Sequence, residues 1–145
     1  MRREERGSAL IEVTWLAILL LVPLVYLVLA VFEVQRSAFA VNAATRAAAR
    51  AYVLAPSEAE APGRARAAAA VALDDQGVDL AEGSMSVSCS PSPRDCLAPG
   101  SVVRVRMTLA VPLPLMPDAL GGDRPSIRVE GTHTVPYGSF REDRP

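Results

Sequence analysis

Few residues in this chain have the type and spacing to do chemistry. Glu12 is a carboxylate at the mouth of a long apolar run, in RGSALIEVTWLAILLL, five residues beyond Gly7. A carboxylate at the centre of a membrane helix costs on the order of 2.5–3.5 kcal/mol, and less near an end. Such a residue either faces a partner of opposite charge or stays close enough to the interface to remain hydrated. Cys89 and Cys96, in CSPSPRDC, are the only two cysteines. In an oxidising compartment they pair, and so short a loop stabilises a domain by roughly 2–3 kcal/mol through lost chain entropy, less any strain. The alternative, half a metal site, is short of ligands, because His133 is the only histidine and is distant in sequence.

Catalytic patterns are missing. A Ser–His–Asp centre would have to use His133, and nothing marks a nucleophile elbow to go with it. Asp74-Asp75 closes a helical segment and is far short of a calcium loop. Gly121-Gly122 reads as a turn, not a phosphate cradle. His133 lies at an apolar-parity position and reads as structural. The sequence therefore predicts no enzyme, no cofactor and no metal. Net charge is −1, and the 15 basic residues are all arginines, scattered without interleaved aromatics, so no nucleic-acid partner is expected.

The elements that must position Glu12 and the cysteines follow from pattern. Val13–Phe32 is a run of 20 residues with no charge. At 1.5 Å per residue it is about 30 Å long, the thickness of a bilayer's hydrocarbon core. From Glu33 to Ala55 there is no Gly or Pro and much Ala, so the helix continues to about Leu54 and stops at Pro56. Pro23 removes one backbone bond and is expected to kink it. The small residues Ala38, Ala40, Ala43, Ala44, Ala47, Ala48 and Ala51 let another helix or a sheet approach, or reflect helix propensity alone. A second, shorter helix is firm from Arg64 to about Asp75, broken in front by Pro62-Gly63 and ended before Gly77.

The period then changes to two. In SVVRVRMTLAV, Val103, Val105, Met107, Leu109 and Val111 share one face. GSMSVSC before it and SIRVEGTHTV after it alternate in the same way. Three consecutive strands predict an antiparallel meander, one face solvated and the other covered by the long helix's second half and the short helix. The disulfide would staple the first hairpin. The connection PLPLMPDALGGDRP is long and apolar; it either folds back over the sheet edge or contacts another subunit or the membrane. The expected fold class is α+β: an N-terminal transmembrane helix continued as a stalk, a short second helix and a small three-stranded antiparallel sheet.

Three readings compete for the N-terminus. A secretory signal finds its basic start in Arg2, Arg3 and Arg6 and a cleavage site at Ala38-Phe39-Ala40, but its apolar run is too long and charges intervene. A plain signal anchor fits the length and leaves Glu12 unexplained. The third reading rests on a resemblance. Gly7-Ser8-Ala9-Leu10-Ile11-Glu12 resembles a type IV prepilin cleavage motif, with a short charged leader, a glycine, and a glutamate fifth in the mature chain. Within that class, RGSALIEV and the helix after it are similar to the TadE-like pseudopilins, or minor pilins, of tight-adherence (Flp-type) pilus systems. Major pilins of such systems usually carry Tyr after the glutamate; Val13 stands here, which favours a minor component. A helical stalk capped by a small sheet is likewise pilin-like.

The resemblance implies a leader 1–7 removed between Gly7 and Ser8 by a prepilin peptidase, and a mature amine on Ser8 that becomes a partner for the Glu12 carboxylate of an adjacent subunit. The layout expected is a transmembrane helix 8–32, a helical stalk 33–55, an extracytoplasmic α+β domain 56–140 and a loose tail 141–145. Implied partners are other pilin or pseudopilin subunits, the pilus assembly platform and membrane lipid. The N-terminus would be cytoplasmic, as the first segment and the cysteine pair suggest. The competing function is an unprocessed single-pass membrane protein with a small extracytoplasmic binding or adhesion domain.

Overall fold

The computed structural model describes residues 5–78, 83–112 and 125–143. The first four residues, the apolar connection over 113–124 and the last two residues lie outside them. Two helices and three strands follow in order: α1 (Glu5–Val53), α2 (Ala61–Asp74), β1 (Gly83–Ser90), β2 (Val102–Pro112) and β3 (Ser126–Pro136).

Helix α1 has 49 residues, about 73 Å at 1.5 Å per residue. The helix runs unbroken through Pro23 and already includes Gly7 and Ser8. Its two halves differ in what covers them. Leu10 to Leu24 are exposed on every side. From Ser37 onward one face is buried: Ser37, Ala40, Val41, Ala44, Thr45, Ala48, Ala49, Tyr52 and Val53. These positions form two ridges of fourfold spacing, the pattern by which one helix packs on another or on a sheet. The alanines therefore divide: Ala40, Ala44, Ala48 and Ala49 are fully buried, Ala38, Ala47 and Ala51 are half-buried, and Ala43 is exposed. A packed face, and not propensity alone, accounts for the first group.

Helix α2 packs against α1 through Ala61, Ala65, Ala69 and Leu73, again at fourfold spacing. It begins three residues earlier than its sequence suggests. Pro62 falls in the first turn, where an N–H has no intrahelical partner, so the ring starts the helix instead of breaking it. Its end is a Schellman turn. Gly77 takes φ +66°, Gly77 N–H donates to Asp74 O at 2.7 Å and Val78 N–H to Leu73 O at 3.0 Å.

The sheet is the expected antiparallel meander in the order β1-β2-β3. Met107 stands opposite Met85 on one side and Gly131 on the other; Val105 stands between Val87 and His133. Val103, Val105, Met107, Leu109 and Val111 are all buried, as the alternation requires. His133 shares their face and is half-buried. On the solvent face Arg106 clamps Glu130, with Nε–Oε1 2.7 Å and Nη2–Oε2 2.8 Å. Helix α1 covers β2 and β3, while α2 takes its place beside α1.

Strand β3 runs in the direction of α1. Gly131 meets Val41 so closely that a Cβ there would lie 2.7 Å from Val41 Cγ1. Farther along, the Arg141 guanidinium donates to the Val53 carbonyl at 2.9 Å, satisfying a carbonyl at the end of α1. Arg141 also lies over the Tyr137 ring, 5.3 Å from its centroid, and the Tyr137 hydroxyl donates to Glu142 O at 2.8 Å. Arg141 and Glu142, read from sequence as part of a loose tail, are thus tied to the top of the long helix.

Candidate assembly surface and the disulfide corner

The sequence-derived site residues fall in two separate places. Gly7, Ser8 and Glu12 lie near the start of α1; Cys89 and Cys96 lie in the domain. Glu12 and Ser8 are one turn apart on the same side of the helix, because residues four apart share a face. The Glu12 side chain is exposed and has no hydrogen bond or ion pair among the described residues. Nearby, Thr14 spends its hydroxyl inside the helix, donating to Leu10 O at 2.8 Å. Glu12 is therefore a free acceptor on a helix whose apolar side chains, such as Trp15 and Leu19, also face outward. One helix is long and apolar enough to cross a membrane.

The exposed apolar surface does not stop with the apolar run. Phe32 and Phe39 are 65% and 73% exposed, seven residues apart on one helix face, and Phe39 already belongs to the stalk. The remaining exposed stalk face carries Asn42, Ala43, Arg46 and Arg50. Chemically this is a surface for helix–helix or helix–lipid contact, with one acid as its polar feature near the start.

The second place is the corner where Cys89 and Cys96 form a disulfide, seven residues apart in sequence. Cys89 is the penultimate residue of β1 and Cys96 sits in the β1–β2 connection, so the bond closes the start of the loop of the first hairpin and does not bridge its two strands. Glu58 completes the corner. Its carboxylate accepts the Cys96 backbone N–H from 38 residues away. It also stands near Tyr52, whose phenol is pushed up first by burial and then by Glu58. The adjacent Ser101 hydroxyl donates to Asp95 O at 3.0 Å, and Tyr137 N–H to Ser101 O at 2.8 Å. Nothing in the spacing of SEAEAPG marks Glu58; only the fold brings it to the cysteines.

Two outcomes follow from this corner. Replacing both cysteines, Cys89→Ser with Cys96→Ser, is expected to cost about 2–3 kcal/mol, the loop entropy returned to the unfolded chain. Denaturant unfolding of the detergent-solubilised chain measures it, and unchanged stability would show the bond to be incidental. Asp95 has the opposite character. Partial burial, then the carboxylates of Asp143 and Glu58, hold its pKa above the usual aspartate range. A raised folded-state value means that ionising Asp95 costs stability as pH rises through that range. Asp95→Asn is therefore expected to raise the melting temperature at pH 7 and to give no gain near pH 3. An equal gain at both values would exclude the charge as its cause.

Among the described residues, no three His, Cys, Asp or Glu side chains gather closely enough to hold a metal ion. Compared with known proteins, the chain matches no family model, no curated protein and no solved structure.

Proposed function

We propose that this chain is a structural subunit, a TadE-like minor pilin or pseudopilin that takes part in assembling a tight-adherence pilus. The observation that carries the reading is the division of α1. From Leu10 onward its first half presents apolar side chains outward with a single acid, Glu12, near the start; its second half is built into the domain's core. A helix of this kind is a shared assembly element with a rigidly attached head.

In this reading a prepilin peptidase cuts between Gly7 and Ser8, the apolar half lies in the membrane, and the domain lies on the far side. The disulfide supports that placement, because such bonds persist in oxidising compartments. The new ammonium on Ser8 of one subunit pairs with the Glu12 carboxylate of another. Pairing offsets the desolvation of both charges and sets the axial register between the helices. Exposed Phe32 and Phe39 extend the helix contact above the membrane.

The N-terminal residue of the membrane-associated protein tests the reading. A start at Ser8 is expected. A start at Met1 would replace the pilin with an unprocessed anchor carrying a small binding domain. A secreted domain starting at Val41 is disfavoured by packing: a cut after Ala40 would sever α1 between two fully buried residues and remove Ser37 from the core. Blocking cleavage with Gly7→Asp should retain the longer chain and abolish any surface filament.

A further inference from the structure

The domain begins close above the uncharged part of its helix. The uncharged run ends at Phe32, and the first fully covered α1 residue is Ser37, only about 7.5 Å higher at 1.5 Å per residue. Below Ser37, Val34 is half-buried and packs against the same core.

The sheet register shows which part of the domain is lowest. Gly131 is in contact with Val41, and β3 runs in the direction of α1, with Arg141 at Val53. Ile127 lies four residues before Gly131, about 13 Å nearer the membrane end at 3.3 Å per residue. That descent, at most about nine helix residues, carries Ile127 below the level of Val41, toward Phe32. Its partner across the sheet is Val111, and the next pair, Pro112 with Ser126, is lower still. Ile127 is 42% exposed although it belongs to the inward-facing parity. Beside it, Arg128 is exposed on the outer face, and Arg36, ion-paired to Glu33 at 3.3 Å, stands on α1 just above Phe32.

We infer that the β2–β3 end of the sheet is a membrane-contact surface, seated in the headgroup layer of a phospholipid bilayer beside α1. Ile127 meets the acyl-chain boundary. Arg128 is placed for lipid phosphates, its stem lying along apolar surface while the guanidinium group stays in the polar layer. The strand edges keep the surface in that layer, because unpaired backbone N–H and C=O groups are not tolerated in lipid hydrocarbon. The head would then be fixed in orientation to the membrane by two contacts, helix and sheet end, before any assembly. This inference rests on α1 crossing the membrane, not on cleavage at Gly7 or on pilus assembly.

Depth-dependent fluorescence quenching tests it. The full chain, its disulfide oxidised, is reconstituted into vesicles of phosphatidylcholine and phosphatidylglycerol. It carries an environment-sensitive probe on Ile127→Cys, Arg128→Cys, Val25→Cys or Phe140→Cys, one at a time. Shallow spin-labelled lipids are expected to quench the Ile127 and Arg128 probes several-fold more than the Phe140 probe at the domain's far end. Deep spin-labelled lipids should quench the Val25 probe most. Val25 quenched, with Ile127 and Arg128 no more quenched than Phe140, would overturn the inference and leave the pilin reading intact. So would quenching at these two positions that disappears on dilution of the protein in lipid, which would assign the surface to a second copy. A Val25 probe in water would overturn both readings.

Discussion

Gly131→Val is expected to remove a large part of the domain's stability. The position does not need glycine for its backbone angles, since among the described residues the glycines with positive φ are Gly77, Gly100 and Gly138. It needs glycine for space. A Cβ at Gly131 would stand 2.7 Å from Val41 Cγ1, 3.2 Å from Val41 O and 3.3 Å from Val41 C. The Val41 side chain is stiff about χ1 in a helix, and its carbonyl moves only if α1 moves. Valine adds two further methyl groups to that contact, so α1 must lift from β3, opening the face that buries Met107 and Val105. Overpacking of this kind costs about 1–3 kcal/mol, and here the backbone obstacle puts the expected loss near the top, about 3 kcal/mol. That corresponds to a fall in melting temperature on the order of 10–20 °C for a domain of this size. Gly131→Ala should lose less. Gly63→Ala, in the first turn of α2 with nothing within 4 Å of the added carbon, should be neutral or slightly stabilising. Thermal melts of the three variants in detergent decide the matter; equal melting temperatures would mean that the α1–β3 approach is looser than described.

Glu12→Ala is expected to leave insertion intact and to cripple assembly. Removing an exposed charge from α1 makes the apolar half easier to insert, because the cost of carrying a carboxylate toward the hydrocarbon disappears. The fold should not respond, since Glu12 has no hydrogen bond or ion pair among the described residues and lies on the uncovered half of α1, away from the domain core. In the proposed assembly, the loss would leave the Ser8 ammonium of the neighbouring subunit unpaired. Breaking one side of a buried ion pair costs about 3–5 kcal/mol, so even the lower figure weakens each contact by more than about 100-fold. Glu12→Gln, which keeps the shape and a hydrogen-bond acceptor, should fall between. Membrane fractionation and quantification of surface filaments read the two effects separately. Filaments at the original level in Glu12→Ala would show that the acid has no part in assembly.

The two positions differ in how they could have been found. Glu12 is conspicuous in the sequence because it interrupts the apolar pattern around it. Gly131 is not: SIRVEGTHTV reads as a strand whether or not its glycine faces a helix. The same contrast holds elsewhere. Val103 to Val111 could be assigned to a buried face from alternation, and α1 could be followed to Leu54 from composition, one residue beyond its end. From sequence alone Pro62 signals a break, because proline's effect depends on whether it falls before, within or at the first turn of a helix, and that boundary is set by where Ala61 packs.

What the sequence by itself determined is the part governed by neighbours within a turn or two: one long apolar helix with an acid near its start, three alternating strands, and two cysteines close enough to join. Periodicity and propensity act over a few residues, so they leave a local signature. Only the tertiary structure decided which alanines are buried, that Glu58 braces Cys96, that Arg141 satisfies the Val53 carbonyl across 88 residues, and that Gly131 meets Val41. These depend on the distance and direction between packed layers. That geometry is set by side chains far apart in the chain and has no period along it.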